Sequence, residues 1–151
     1  MDETYIKVGG RWCYLYRAVD QFGQVIDVLA TEKRDAAAAR RFFTRALQQV
    51  PRPVEVTTDK AAAYLGVLEE LLPAARHVTE RYGNNRVEAD HGRLKARLRP
   101  MRGLTRLATA VVIAAGHDFV QNIRRGHYEL AAGVAPALRL MTAFTDLARA
   151  I

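Results

Sequence analysis

Hydrophobic and polar positions alternate along the first third of the chain. β-Prone runs occupy residues 4–8, 11–19 and 25–31, and they are separated by Gly9-Gly10 and by a second short turn sequence. Runs of this length and composition are typical of β-strands. Because the turns between them are short, the pattern predicts an antiparallel meander of three strands.

After the meander, apolar residues recur at helical spacing. Asp35 is a candidate N-cap for a helix that ends near residue 49. The apolar face of this helix is formed by Ala39, Phe42, Phe43, Ala46, Leu47 and Val50. The rest of the chain predicts a strand, a helix, a short strand and two helices, at residues 54–58, 60–72, 75–79, 85–98 and 105–124. The core side of the helix at 105–124 is expected to carry Leu104, Leu107, Ala108, Val111, Val112, Ala115 and Phe119.

The order of these elements indicates the fold class. Three hairpin-linked strands followed by alternating helices and strands predict an α/β fold, with a mixed five-stranded sheet covered by helices on both faces. Residues 137–150 form either a last helix or a loosely attached tail. In a sheet of this kind, loops at the strand ends carry the functional site.

Composition and charge limit the range of possible functions and partners. The chain has 151 residues, a formal net charge of +7 and one cysteine, Cys13, which lies in an apolar run and is expected to be buried. Residues 76–106 contain nine arginines or lysines against three acids, so nearly all the excess positive charge lies there. Such one-sided charge favours a polyanion, nucleic acid above all, as the partner. We expect a bacterial cytoplasmic protein without a membrane segment.

Three acids lie in distinctive contexts. Asp2 and Asp59 lie at the ends of predicted strands, and Glu88 lies early on a strongly basic predicted helix. Neighbouring strands are about 4.8 Å apart, so adjacent first and fourth strands would bring two carboxylates within reach of one divalent cation. Spacing alone is weak support, because sixteen acids offer many sets of three.

The helix around Glu88 strengthens the hypothesis. His91 and Lys95 follow Glu88 by three and seven residues and share its face of the helix. An acid among so many cations is better explained as a metal ligand on a phosphate-binding surface than as a solubilising surface group. His91 is equally consistent with a local hydrogen-bonding role.

Five short sequence segments resemble those of a known protein family. DETYIKV, GRWCYLYRAVDQFG, EKRDAAAARRFF, TTDKAAAY and NNRVEADHGRLKARLRPMRG occur in this order over about residues 2–128. Together they resemble the DDE transposases of bacterial insertion sequences, and in particular the "insertion sequence six" group. The resemblance implies a ribonuclease-H-like fold of the retroviral-integrase superfamily. It divides the chain into a catalytic domain at residues 1–128 and a C-terminal tail at 129–151.

The resemblance also implies a mechanism. Asp2, Asp59 and Glu88 would be the catalytic triad and would bind two Mg²⁺ or Mn²⁺ ions during phosphodiester cleavage and strand transfer. The expected partners are transposon ends, target DNA and further copies of the chain, and the expected location is the nucleoid. The positions expected to contact DNA are Lys60, Arg86, His91, Arg93, Lys95, Arg97, Arg99 and Arg102.

Two departures from the family pattern leave an alternative open. Only 28 residues separate Asp59 from Glu88, a spacing shorter than is usual in the family. Family members also carry an N-terminal helix-turn-helix region, and no such region precedes Asp2 in this sequence. The alternative function is therefore an inactive, truncated transposase that binds DNA or the full-length enzyme.

Overall fold

The fold is described from a computed structural model, which describes residues 1–58, 62–79, 85–98 and 103–151. Its strands are β1 (Asp2–Val8), β2 (Arg11–Val19), β3 (Val25–Thr31), β4 (Glu55–Thr57) and β5 (Arg76–Val78). Its helices are α1 (Ala36–Gln49), α2 (Ala62–Leu71), α3 (Asn85–Leu98), α4 (Leu107–Arg125) and α5 (Arg139–Arg149). The predicted α/β element order is confirmed.

The first three strands form the predicted antiparallel meander. β1 pairs with β2 from Asp2 opposite Arg17 to Val8 opposite Arg11, and β2 pairs with β3. Gly9 and Gly10 have φ angles of 55° and 80°, and a two-residue turn with both angles positive matches the right-handed twist of the strands. β1 begins at Asp2, two residues earlier than the alternation predicted, so Asp2 belongs to the strand ladder.

The other two strands form a short parallel pair. Glu55 to Thr57 of β4 lie opposite Arg76 to Val78 of β5. β1 and β4 are linked by a hydrogen bond of 2.7 Å from the Met1 amino group to the Thr57 carbonyl. Within the described residues, the five strands form a three-stranded and a two-stranded sheet rather than the single mixed sheet that was predicted. The bond from Met1 places β4 beside the edge of β1 that β2 does not use.

Helices α1 and α2 cover one face of the sheet. Asp35 caps α1 as predicted, because its carboxylate accepts a hydrogen bond of 2.8 Å from the Ala38 amide. The buried cluster on this face comprises Met1, Tyr16, Ala18, Ala38, Ala39, Phe42, Phe43, Ala46, Tyr64, Val67, Leu68 and Leu72. Burial raises the pKa of Tyr16 to about 12, so this hydroxyl stays neutral at physiological pH.

Helices α3 and α4 cover the opposite face, as predicted. The buried cluster there comprises Ile6, Val8, Cys13, Leu15, Val25, Val28, Ala30, Leu94, Leu104, Ala110 and Ala114. Burial raises the pKa of the Cys13 thiol, which is free and buried as expected. A raised thiol pKa means that little reactive thiolate forms near neutral pH.

The predicted core side of α4 was partly right: Leu104, Leu107 and Val111 pack in the core, whereas four other predicted residues are exposed. Val112 is 71% exposed and Phe119 37% exposed, and Ala108 and Ala115 are also exposed. The buried residues of α4 are Ala110, Ala114, His117, Asp118, Gln121, Asn122 and Ile123. Two small alanines let α4 approach the sheet closely, and two of the polar residues beyond them, Asp118 and Asn122, bond to the strands. Asn122 exchanges two hydrogen bonds of 3.0 and 2.9 Å with the backbone of Val25.

Helix α5 packs against the end of α4. Gly126 ends α4 with a φ of 77°, a left-handed conformation that glycine adopts without strain. The buried residues at this junction are Ile123, Ala131 and Ala143, with Tyr128, Leu130, Val134 and Leu140 packed against them. Within the described residues, no helix combines the length and apolar character needed to cross a membrane.

Candidate active site

The structure places two of the three predicted acids on regular elements. Asp2 is the first residue of β1, directly opposite Arg17 in the ladder, and Glu88 lies in the first turn of α3. Asp59 lies outside the described residues, two positions beyond the end of β4 at Thr57. The metal-binding role of the three acids remains a prediction.

A hydrogen bond connects the backbone segments that adjoin Asp2 and Asp59. The hydrogen bond from Met1 to Thr57 joins the residue before Asp2 to the residue two before Asp59. Thr58 is fully buried, and its amide donates a hydrogen bond of 3.0 Å to the Val78 carbonyl. Its hydroxyl lies 2.7 Å from Nε2 of His77. The end of β4 is thus held from both sides, by β1 and by β5.

Glu3 provides further contacts between β1 and other segments of the chain. The Tyr64 hydroxyl, from the first turn of α2, donates a hydrogen bond to the Glu3 carboxylate. Nε of Arg34 lies 2.6 Å from the other oxygen of the same carboxylate, whose side chain is only 4% exposed. Because Glu3 follows Asp2 directly, these contacts restrain the strand at the position of the first acid. The alternation of apolar and polar positions does not predict this role for Glu3.

Arg17 and Asp118 form a buried ion pair on the other face of the sheet. Arg17 comes from β2, Asp118 comes from α4, and their side chains are 0% and 5% exposed. His117, which precedes Asp118, is also buried. One signal in the sequence points to this pair, because Cys13, Leu15 and Arg17 fall on alternate positions of one strand. A charge in that alternation needs a buried partner of opposite sign.

The basic helix α3 divides into a buried and an exposed side. Arg93, Lys95 and Arg97 are exposed, whereas Leu94 is buried in the core. His91 is also buried, with 6% of its surface exposed. The predicted contact between His91 and DNA stays a prediction, and this burial is evidence against it, since a buried imidazole offers little surface to a phosphate. Of the other predicted contacts, Arg86 lies on α3, and Lys60, Arg99 and Arg102 lie outside the described residues.

Helical geometry relates Lys95 to Glu88. Seven residues at 3.6 residues per turn complete nearly two turns, so the two positions lie on the same side of α3. Lys95 therefore follows Glu88 along one side of the helix, whereas the positions of Arg93 and Arg97 are about 140° and 180° from it around the axis. Among the side chains that the structure describes, no group of three histidines, cysteines or acids is close enough to bind a metal. The three predicted acids are not among those side chains.

Comparison with known proteins identifies the family. The family model of the DDE domain of IS240-type transposases matches residues 1–127. The chain belongs to this transposase DDE-domain family. The resemblance to transposases of the insertion-sequence-six type is thus confirmed.

Curated relatives agree with this assignment. The DDE domain is 37% identical over 102 residues to the transposase for insertion sequence-like element IS431mec of Staphylococcus aureus. It is equally similar to the transposase of IS257 in transposon Tn4003 from the same organism. Each match covers 64% of this chain and 46% of the relative. The chain therefore spans about half the length of these relatives.

Solved structures establish the fold. The HTLV-2 integrase catalytic core domain in complex with magnesium superimposes with a TM-score of 0.63 at 19% identity, covering 92% of this chain and 91% of that one. The catalytic core domain of BIV integrase gives a TM-score of 0.57 at 12% identity and covers 99% and 97% of the two chains. The predicted ribonuclease-H-like fold, the fold of these integrase cores, is confirmed.

Proposed function

We propose that this DDE domain catalyses metal-dependent cleavage and strand transfer of DNA during transposition, with Asp2, Asp59 and Glu88 as its catalytic acids. The hydrogen bond between Met1 and Thr57 is the observation that carries the proposal. It supports the proximity of the first two acids, because it joins the backbone next to Asp2 to the strand that leads to Asp59. Family membership supports the same assignment.

The donor set suits a divalent cation. Three carboxylates are the hard oxygen ligands that Mg²⁺ and Mn²⁺ prefer, and bound cations remove the repulsion between them. When two ions are bound, they supply Lewis-acid stabilisation of the attacking and leaving oxygens of the phosphodiester. Asp2, Asp59 and Glu88 hold these ions, and the contacts of Glu3 with Arg34 and Tyr64 restrain the strand of the first acid.

Helix α3 binds the DNA backbone beside the acids. The exposed side chains of Arg93, Lys95 and Arg97 pair with phosphates, since cationic side chains contribute most of the affinity for DNA irrespective of base sequence. Lys95 lies on the side of the helix that carries Glu88, so it binds a phosphate next to the scissile bond. The DNA is a transposon end or a target duplex, and further copies of the domain assemble on it at the bacterial nucleoid.

A plasmid-nicking assay tests this function. We expect the purified chain to nick supercoiled plasmid DNA in Mn²⁺ or Mg²⁺ and to be inactive in EDTA, because the carboxylates alone cannot stabilise the leaving oxygen. Nicked and linear products are separated on an agarose gel. Nicking that persists in EDTA would contradict the proposal. DNA binding without nicking in either metal would favour the alternative, an inactive transposase fragment.

The exposed cations of α3 allow a second test. We expect the triple change of Arg93, Lys95 and Arg97 to Ala to weaken duplex DNA binding and to lower the slope of log K against log salt concentration. Each lost phosphate contact should reduce the slope by about 0.9, for a total of nearly 3. Fluorescence anisotropy of a labelled duplex at several salt concentrations measures both effects.

The control for this test is a change of three exposed arginines on other elements. Arg40 and Arg41 lie on α1 and Arg149 ends α5, and all three are exposed. Both triple variants lose the same net charge. An equal loss of slope in the two variants would show that net charge, rather than the position of α3, governs binding.

A further inference from the structure

The β1–β2 hairpin presents an exposed aromatic and basic surface near its turn. Tyr5 lies opposite Tyr14 and Lys7 lies opposite Trp12 in the strand register. We call these four residues the hairpin platform. Trp12 is 65% exposed and Tyr5 is 47% exposed, and Lys7 is also exposed.

The platform continues the buried face that α1 and α2 cover. Tyr16, two residues after Tyr14 on the same face of β2, is fully buried and packs with Phe42 and Tyr64 at ring-centroid distances of 5.5 and 6.3 Å. Towards the hairpin turn, burial on this face falls from Tyr16 to Tyr14 to Trp12. The rings of the platform therefore lie beyond the cover of the helices.

Hairpin stability does not account for this exposure. The Tyr5 and Tyr14 rings are 5.3 Å apart at 57°, and the Lys7 ammonium lies 6.0 Å from the centre of the Trp12 ring. Such cross-strand pairs stabilise a hairpin. They do not require that two thirds of a tryptophan stay in water, and a contiguous exposed aromatic surface commonly marks a binding site.

The charges next to the platform indicate the ligand. Lys7 belongs to it, and Lys33, two residues beyond Thr31, which lies opposite Tyr14, is also exposed. Arg11 alternates with Trp12 along β2 and therefore lies on the opposite face of the hairpin. Exposed rings flanked by cations match the two parts of single-stranded DNA, because bases stack on aromatic faces and phosphates attract ammonium and guanidinium groups.

We propose that the hairpin platform binds single-stranded DNA, with bases stacked on Trp12 and Tyr5 and phosphates held by Lys7 and Lys33. A duplex fits this surface less well, because its bases are stacked on one another and present edges in the grooves. The platform lies on the α1 and α2 face of the sheet, whereas Leu94 of α3 packs on the other face. It is therefore a contact separate from the basic helix.

The chain contains one tryptophan, so its intrinsic fluorescence reports directly on Trp12. Titration with a thymidine oligonucleotide of about a dozen nucleotides, a length typical of single-strand sites, should quench the emission saturably. The Trp12→Ala variant should bind a labelled oligonucleotide about 5- to 150-fold more weakly by anisotropy, the range measured for loss of one stacked base. Trp12→Tyr, which keeps an aromatic ring, should restore most of the affinity.

Phe22 provides the matched control. It is 70% exposed but lies in the turn between β2 and β3, away from the platform. Phe22→Ala should leave single-strand affinity unchanged, and a loss equal to that of Trp12→Ala would overturn the proposal. Unchanged affinity in Trp12→Ala, or equal quenching by a duplex of the same length, would also overturn it. A change in emission with protein concentration alone would instead identify a second copy of the chain as the occupant.

The inference rests on the proposed function only in taking DNA as the ligand. The same titration with Glu88→Gln separates the two hypotheses, because this change lies outside the platform. Quenching that persists in Glu88→Gln would support the platform, and quenching of an unchanged chain that nicks DNA in neither metal would support the platform while the proposed cleavage fails. Cleavage without saturable quenching would overturn the platform and leave the proposed function intact.

Discussion

Replacing Glu88 with Gln should lower metal-dependent nicking by about a thousandfold or more and leave duplex DNA affinity nearly unchanged. The substitution keeps the size of the side chain but removes its negative charge, so the third ligand of the cation is weakened. Metal ions supply several kcal/mol of charge stabilisation, and about 4 kcal/mol corresponds to a thousandfold in rate. Binding by the cations of α3 does not depend on this carboxylate.

Asp90 offers a matched control for Glu88. It is an acid on the same helix, and a separation of two residues places it about 200° further around the helix axis. The Asp90→Asn variant should nick plasmid DNA at a rate close to that of the unchanged chain. Nicking rates in Mn²⁺ and duplex affinities by anisotropy are measured for both variants. Wild-type nicking by Glu88→Gln would remove Glu88 from the catalytic set.

Contacts between distant segments, rather than local motifs, support the proposed site. Met1 bonds to Thr57, and Glu3 bonds to Tyr64 of α2. Both contacts tie β1, which carries Asp2, to segments on either side of Asp59. A site that must hold carboxylates close together benefits from such restraint, because positioned groups lose little freedom when a cation or substrate binds.

The sequence predicted the elements well where local signals are strong. Gly9-Gly10 between two alternating runs specified the hairpin, and Asp35 specified the start of α1. These features depend on backbone conformation and on a single capping hydrogen bond, both of which act over a few residues. The five sequence segments that resemble the transposase family then indicated the fold, which the integrase structures confirm.

The buried side of α4 could not be predicted in the same way. Hydrophobicity favoured Val112 and Phe119 as core residues, yet the helix buries Asp118 and Asn122. Burial of these polar groups is compensated by partners about 100 residues away in the sequence, Arg17 and the backbone of Val25. Periodicity counts apolar residues and carries no information about such distant partners.

The role of His91 was open for a related reason. Its position three residues after Glu88 suggests a shared face, but that spacing is compatible with either an exposed or a buried side chain. The structure places His91 on the buried side with Leu94, next to exposed cations on the same helix. Which side of α3 packs against the sheet depends on the sheet itself, so the helix sequence alone could not decide it.

Replacing Asp118 with Ala should destabilise the fold by about 3–5 kcal/mol, the usual cost of removing one partner from a buried ion pair. Arg17 is fully buried, so the loss of this carboxylate removes a counter-charge from a guanidinium group in the core. Because small domains are stable by only about 5–15 kcal/mol, the effect is a large share of the total. Urea denaturation followed by circular dichroism measures it.

Two further variants separate the charge effect from general damage. Asp146→Ala removes an exposed acid of α5 and should change stability by no more than about 0.5 kcal/mol. The double variant Arg17→Met, Asp118→Leu removes both charges of the pair and should be more stable than Asp118→Ala alone, because the buried guanidinium is removed together with the carboxylate. If the double variant were the less stable of the two, packing rather than charge pairing would explain the role of Asp118. Since Arg17 lies opposite Asp2 in the ladder, the double variant should also nick DNA more slowly despite its recovered stability.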